Sequence, residues 1–330
     1  MTGGSEGAAA TGVEPVVPRR HLFRHLGPVL LFGALLLVPL AARFGTESYI
    51  LSLMTRVLVL ALAAMSLDLL IGFGGLVSFG HAAFVGIGAY AVGILSAEGI
   101  GNGLVHLLVA LAASAVFATL TGLVAIRTQG VYFIMTTLAF GQMLYFLATA
   151  LAGYGGDDGM TLPARSRVGG FDPLGSDVGL YYAAFGALLG CYLLLRRVVA
   201  SRFGRVLAGA RENPVRMGAI GFRPFRYQLV AYVLSGTVAA VAGCLLANQA
   251  GFVSPASMAW QRSGDLIFMV VLGGLGSLHG AILGAVAFLL AEEILSGLTE
   301  HWRIVFGPLL IGAVLFARGG LTGLLPPGGR

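Results

Sequence analysis

The feature that most constrains this chain is a succession of long apolar runs, joined by short loops that hold almost all of its charge. The runs lie near 27–43, 50–71, 75–96, 104–126, 131–152, 178–199, 228–250, 264–276, 279–297 and 304–318. A helix needs about 20 apolar residues to cross ~30 Å of hydrocarbon, so these runs predict about ten crossings and no soluble domain of useful size. Composition says the same. The chain is 57% hydrophobic and 10% charged, where soluble domains carry roughly 25% charged residues. The fold class is therefore all-α, a polytopic transmembrane helical bundle. The domain plan is a disordered basic tail over 1–26, a membrane domain over 27–325 with a cytoplasmic loop at 200–227, and a short tail at 326–330.

Charge fixes an orientation for that bundle. The net charge of +6 comes wholly from arginine, because the chain contains no lysine. In a membrane protein such an excess reads as topology and not as nucleic-acid binding, since arginines gather on the cytoplasmic side of short loops. An even number of crossings with both termini in the cytoplasm puts Arg196, Arg197, Arg202, Arg205, Arg211, Arg216, Arg223 and Arg226 inside. It puts Asp157, Asp158, Asp172 and Asp177 outside, with Arg165 and Arg167 against the rule. Cys191 and Cys244 each lie in an apolar run, where cysteine acts as a small hydrophobe and not as a disulfide partner or metal ligand.

Glycine is the second signal, at 51 residues, in patterns such as Gly86-x-Gly88, Gly273-Gly274-x-Gly276 and Gly280-x3-Gly284. Small residues let helices approach closely where lipid supplies no hydrophobic force between them. The run Gly72-Phe73-Gly74-Gly75 almost fuses the second and third segments. A broken backbone of this kind is tolerated in a bilayer only where protein or a water-filled cavity satisfies it.

No Ser/His/Asp set, HExxH, CxxC or GxxxxGK[ST] motif occurs, so neither an enzyme nor an ATP-binding P-loop is expected. No metal site or bound cofactor is expected either. Ionisable groups at membrane depth, each costing about 2.5–3.5 kcal/mol at mid-bilayer, are the functional candidates instead. They are Arg56, Asp68, His81, Asp265 and the pair Glu292-Glu293. Asp68 and His81 flank the glycine break, with Gly74, Gly75 and Ser78 between them, and these five form a candidate translocation path. For Asp68 the structural alternative is a buried hydrogen bond to Arg56 or a neighbouring backbone; for His81 it is ordinary packing. Too few acids are stacked for a proton relay, which counts against an ion-coupled secondary transporter.

The loop Ser201–Phe222 is too patterned for a linker. Val206, Leu207 and Ala210, then Met217, Ala219 and Ile220, offer apolar faces at helical spacing. Asn213-Pro214 divides them and reads as the start of a second short helix with proline in its first turn. A basic, partly apolar hairpin of this kind suits a soluble partner, or an anionic lipid surface.

These residues resemble the LivM-type permeases of branched-chain amino acid ABC importers. The resemblance runs from about Leu60 to Leu325 and rests on Ser66–Tyr90, Gly130–Phe140, Gly204–Glu212 with Gly221, Phe252–Pro255, Val271–Ser277 and Gly319–Pro326, in that order. It implies a channel-forming subunit in the bacterial inner membrane, paired with a LivH-like permease, two cytoplasmic ATPases that bind the ATP and magnesium, and a periplasmic or extracellular substrate-binding protein. Gly204, Arg205, Ala210, Arg211, Glu212 and Gly221 occupy the recurrent positions of the segment that docks on the ATPase. Asn213-Pro214 stands where many relatives carry acidic residues. Asp68 stands where many carry asparagine and urea-transporting relatives often carry aspartate, so leucine, isoleucine and valine lead a substrate list that also holds urea, short amides and other amino acids.

Overall fold

A computed structural model describes residues 20–42, 47–167, 174–298, 301–316 and 319–324. The described residues are overwhelmingly helical: α1 (Arg20–Ala42), α2 (Glu47–Asp68), α3 (His81–Ala97), α4 (Gly103–Ala125), α5 (Val131–Ala150), α6 (Asp177–Ala200), α7 (Arg202–Glu212), α8 (Pro214–Ala219), α9 (Pro224–Ala250), α10 (Trp260–Gly273), α11 (Leu278–Leu298), α12 (Trp302–Phe316) and α13 (Leu321–Leu324). Six helical segments among them are long and apolar enough to cross a membrane: Glu47–Phe73, Gly103–Ala125, Val131–Ala150, Asp177–Ala200, Pro224–Ala250 and Leu278–Leu298. Every apolar run of the sequence forms a helix, but α3, α10 and α12 are short. At 1.5 Å per residue, the 14 residues of α10 reach only about 21 Å. Helix α1 begins at Arg20, inside the stretch expected to be tail; residues 1–19 and 325–330 lie outside the described residues.

The centre of the bundle is built where helix backbones nearly touch. On α3, a Cβ at Gly88 would sit 2.0 Å from the carbonyl oxygen of Ala240 on α9, and one at Gly243 would sit 1.9 Å from that of Val85. The seam between α10 and α11 repeats the device: a Cβ at Gly284 would lie 1.9 Å from the Met269 carbonyl oxygen, and one at Gly273 would lie 2.0 Å from that of Gly280. The glycine patterns of the sequence thus mark close helix crossings, as packing in lipid requires. Phe84 fills the space beside the α3–α9 seam, edge-on to Phe117 and Tyr232.

One end of the bundle is tied together by backbone. Met160 and Thr161 pair antiparallel with Val253 and Phe252. Asn102 bridges Arg167, with Gly103 N donating to Arg167 O at 2.6 Å and Arg167 N donating to Gly101 O at 2.8 Å. His106 bonds Ser166 Oγ at 2.8 Å, and Ser166 N donates to Asn248 Oδ1 at 2.7 Å. Tyr154 donates to Glu98, a bond that pushes its phenol above the usual tyrosine range. The two arginines expected to run against the charge rule lie here. Arg165 pairs with Asp177 at 2.7 Å, and Arg167 takes part through its backbone.

Candidate functional site

At the opposite end of the bundle, four distant stretches of sequence meet on a node of glycines. Helix α2 ends in a five-residue π-turn, Leu69–Phe73, of the kind found most often at functional positions. Gly75 then turns the chain with φ +68°, a value that disfavours any side chain. From there to Gly80 the backbone is non-helical. Gly72 lies against the backbone of Gly276, where a Cβ would be 2.3 Å from the Gly276 nitrogen. Gly276 itself has φ +76° and joins α10 to α11. Beyond it, Thr322 Oγ1 of α13 donates to Gly273 O at 3.1 Å.

The polar groups of the node hold its backbone together. Asp68 is fully buried, and its Oδ1 accepts from Gly276 N at 2.9 Å. A carboxylate in this position stabilises the amide of a broken helix pair in place of water. Arg56, the partner weighed for Asp68 from the sequence, pairs instead with Glu292 at 3.4 Å. The neighbouring-backbone alternative is the one the structure adopts, with a backbone neighbour in space rather than in sequence. Arg211 of α7 reaches the node from the side: its guanidinium donates to the Gly72 carbonyl, and its aliphatic stem covers Gly75. A side chain at Gly75 would displace that stem, with a Cβ only 2.8 Å from Arg211 Cγ.

One layer up, His81 opens α3. It is fully buried, with Nε2 at 2.8 Å from Ser66 Oγ and its ring edge-on to Phe84. Ser235 Oγ donates to the Ser66 carbonyl, and Ser263 Oγ accepts from Ala82 N at 3.0 Å, capping an orphan amide of the helix start. Ser78 is fully buried as well, and Phe79 N donates to Thr137 Oγ1. Asp68, Gly74, Ser78 and His81 thus sit within packed protein, whereas Gly75 is exposed beneath Arg211. The serines that hold the layer, Ser66, Ser235 and Ser263, carry no signature in the sequence beyond being polar at membrane depth.

The hairpin is built as the sequence suggested. Asn213 caps α8, accepting from Arg216 N at 2.8 Å, with Pro214 in the first turn. Helix α7 buries Gly204, Val206, Leu207 and Ala210; a Cβ at Gly204 would meet the Val199 carbonyl oxygen at 2.1 Å. Arg205 and Glu212 face solvent, and Gly221 closes the hairpin with φ +91°. Helix α8 and the turn that follows it pack little away: Val215, Ile220 and Phe222 are all exposed. Among the described residues no cluster of three metal-ligating side chains occurs.

Residues 49–314 match the model of a family described as a branched-chain amino acid transport system permease component. The chain belongs to this permease family. It is 27% identical to the high-affinity branched-chain amino acid transport permease LivM of Salmonella typhimurium, over 90% of this chain and 76% of that protein. It is 25% identical to the permease BraD of Pseudomonas aeruginosa, over 80% of this chain and 91% of BraD. Over 44% of the chain it is also 29% identical to LivH of Escherichia coli, of which 46% is covered. No solved structure matches the permease. Four of the six sequence blocks that resemble LivM converge on the node: Asp68, Gly72 and Gly75 from the first, Arg211 from the hairpin, Gly273 and Gly276 from α10–α11, and Thr322 from the end of the chain.

Proposed function

We propose that this permease is one membrane half of an ATP-driven importer of leucine, isoleucine and valine in the bacterial inner membrane. In this reading it pairs with a LivH-like permease, two cytoplasmic ATPases that hold ATP and magnesium, and a binding protein that delivers substrate from outside. The observation that carries the reading is the hairpin α7–α8. Its inner face is packed and pinned by Arg211 to the glycine node, while its outer face presents Val215, Ile220 and Phe222 among Arg202, Arg205 and Arg216. An apolar patch rimmed by charge suits a protein partner. Movement of such a partner pulls on Gly72 and Gly75, the break between α2 and α3.

The arrangement of ends supports ten crossings with both termini in the cytoplasm. Residues 98–102, 151–167 and 251–253 are held at one end by the bonds described above, and Gly72, Arg211, Gly276 and Thr322 meet at the other. The chain alternates between these ends in eight passages, through α2, the unit of residues 74–80 with α3, and α4, α5, α6, α9, α10 and α11, and α1 before them and α12 after them bring the count to ten. The short α3 and α10 complete their passages with the non-helical stretches at 74–80 and 274–277, which protein neighbours satisfy. In this conformation the buried layer of Ser66, Asp68, Ser78 and His81 closes the path between the two ends, and transport opens it.

Two variants of the assembled importer in vesicles test the reading. Val215→Asp with Ile220→Asp should lose the ATPase subunits on purification. Arg211→Gln should keep them but reduce ATP-driven leucine uptake about tenfold, the cost of one charge-assisted hydrogen bond. Intact assembly and uptake in both would overturn the assignment. Stimulation of ATP hydrolysis by urea and not by leucine or valine would move the substrate.

A further inference from the structure

At the end of the bundle away from the hairpin lies an open-sided cavity of about 260 Å³, lined by α2, α3, α9, α10, α11 and the segment Phe252–Ser257. Ligand pockets for drug-sized molecules run from about 300 to 1,000 Å³, so this one suits something smaller. Its walls divide into two chemistries. Leu60, Val85, Leu266, Met269, Phe288 and Leu289 form an apolar lining, while Arg56, Glu292, Arg262 and Asp265 supply two charges of each sign. Its lining includes Ala82, the residue after His81, with its amide held by Ser263. The cavity therefore borders the buried layer.

The charges are arranged as two loose pairs. Arg262 and Asp265, one turn apart on α10, approach to 3.4 Å and lie toward solvent. Arg56 and Glu292 come from different helices, α2 and α11, and also approach only to 3.4 Å, with side chains 35% and 21% exposed. For comparison, Arg165 and Asp177 close to 2.7 Å. A single long contact between half-buried ions leaves most of the hydrogen-bonding capacity of a guanidinium and a carboxylate unused. An apolar amino acid carries the complement of this wall: a carboxylate, an ammonium group and a hydrocarbon side chain.

We infer that this cavity is a binding site for an apolar amino acid zwitterion, which enters between Arg56 and Glu292. The Arg56 guanidinium takes the carboxylate, the Glu292 carboxylate takes the ammonium group, and the branched side chain lies on Val85, Leu266 and Phe288. One weak ion pair is exchanged for two charge-assisted contacts, and the apolar face of the ligand leaves water. The inference rests on the importer reading and adds to it a waypoint above the closed layer, where substrate waits before the path opens.

The test uses the whole importer in vesicles with Ala256→Cys, an exposed position on the cavity wall. The parent complex, whose native Cys191 is half-buried and Cys244 buried, gives the background for a charged thiol reagent. At about ten times its dissociation constant, leucine should slow modification of Ala256→Cys by about tenfold, as occupancy requires. Leucinamide, which lacks the carboxylate, and isocaproate, which lacks the amine, should protect far less, and urea not at all. Adding Arg56→Gln or Glu292→Gln should remove protection by leucine while the unprotected rate stays the same. The cavity assignment is overturned if the cysteine does not react, if leucine protects no better than its two analogues, or if protection survives both added variants. Leucine uptake by the parent complex is measured alongside. Uptake without protection removes the cavity site alone, and absence of uptake removes the importer reading and the site with it.

Discussion

Helices α2 and α4 are similar in length and apolar character, yet the bundle treats them oppositely. Two-thirds of the apolar window of α2, 67%, is buried inside the protein, against 28% for α4. The difference is accompanied by another, in how many polar side chains of each helix reach other elements. In α2, Arg56 reaches Glu292, Ser66 reaches His81 and Asp68 reaches Gly276, all on other elements. In α4, His106 reaches Ser166 only at the helix start, and in mid-helix Thr119 turns back on the carbonyl of Ala115 one turn earlier. A hydroxyl that bonds its own helix leaves nothing unpaired toward lipid, whereas a polar group aimed at a neighbour ties two elements together. Polarity at membrane depth marks the core helix only when the partner lies elsewhere in the sequence.

Four substitutions at three positions sharpen this comparison, from the largest effect to the smallest. Leu62→Ala on α2 removes a fully buried side chain and should destabilise the permease by about 2–5 kcal/mol, read as a lower thermal midpoint in detergent. Asp68→Ala strips the Gly276 amide of its acceptor and should cost about 1–3 kcal/mol. Asp68→Asn keeps an oxygen at that position and should cost less than half as much, which hydrogen exchange at the Gly276 amide would report. Leu120→Ala on the exposed face of α4, 62% exposed, should change stability by less than about 0.5 kcal/mol. A loss at Leu120 as large as that at Leu62 would break the comparison and show that another protein covers α4.

Much of this architecture was legible beforehand. The apolar runs named every long helix, because twenty apolar residues in a row have no other economical solution than a bilayer. Asn213-Pro214 announced α8, because a cap and an N1 proline act within four residues. The glycine pairs announced close crossings but not which helices cross. Arg56 illustrates where local reasoning ends. From the sequence, Asp68 is the acid it is weighed against, three turns along its own run, yet in the fold its partner is Glu292, 236 residues away. The node shares this character: Asp68 with Gly276 and Arg211 with Gly72 are separated by 208 and 139 residues.

The sequence by itself determined that the chain lives in a membrane, which stretches are helical, where the basic hairpin lies and which family the pattern resembles. Each of these follows from composition or from interactions spanning a few residues. Only the tertiary structure decided which face of each helix looks inward, which residues meet at the glycine node and where two pairs of charges enclose an apolar cavity. The reason is physical. Inside a bilayer hydrophobicity no longer distinguishes core from surface, so the choice passes to shape and to buried hydrogen bonds, and both depend on elements far apart in the chain.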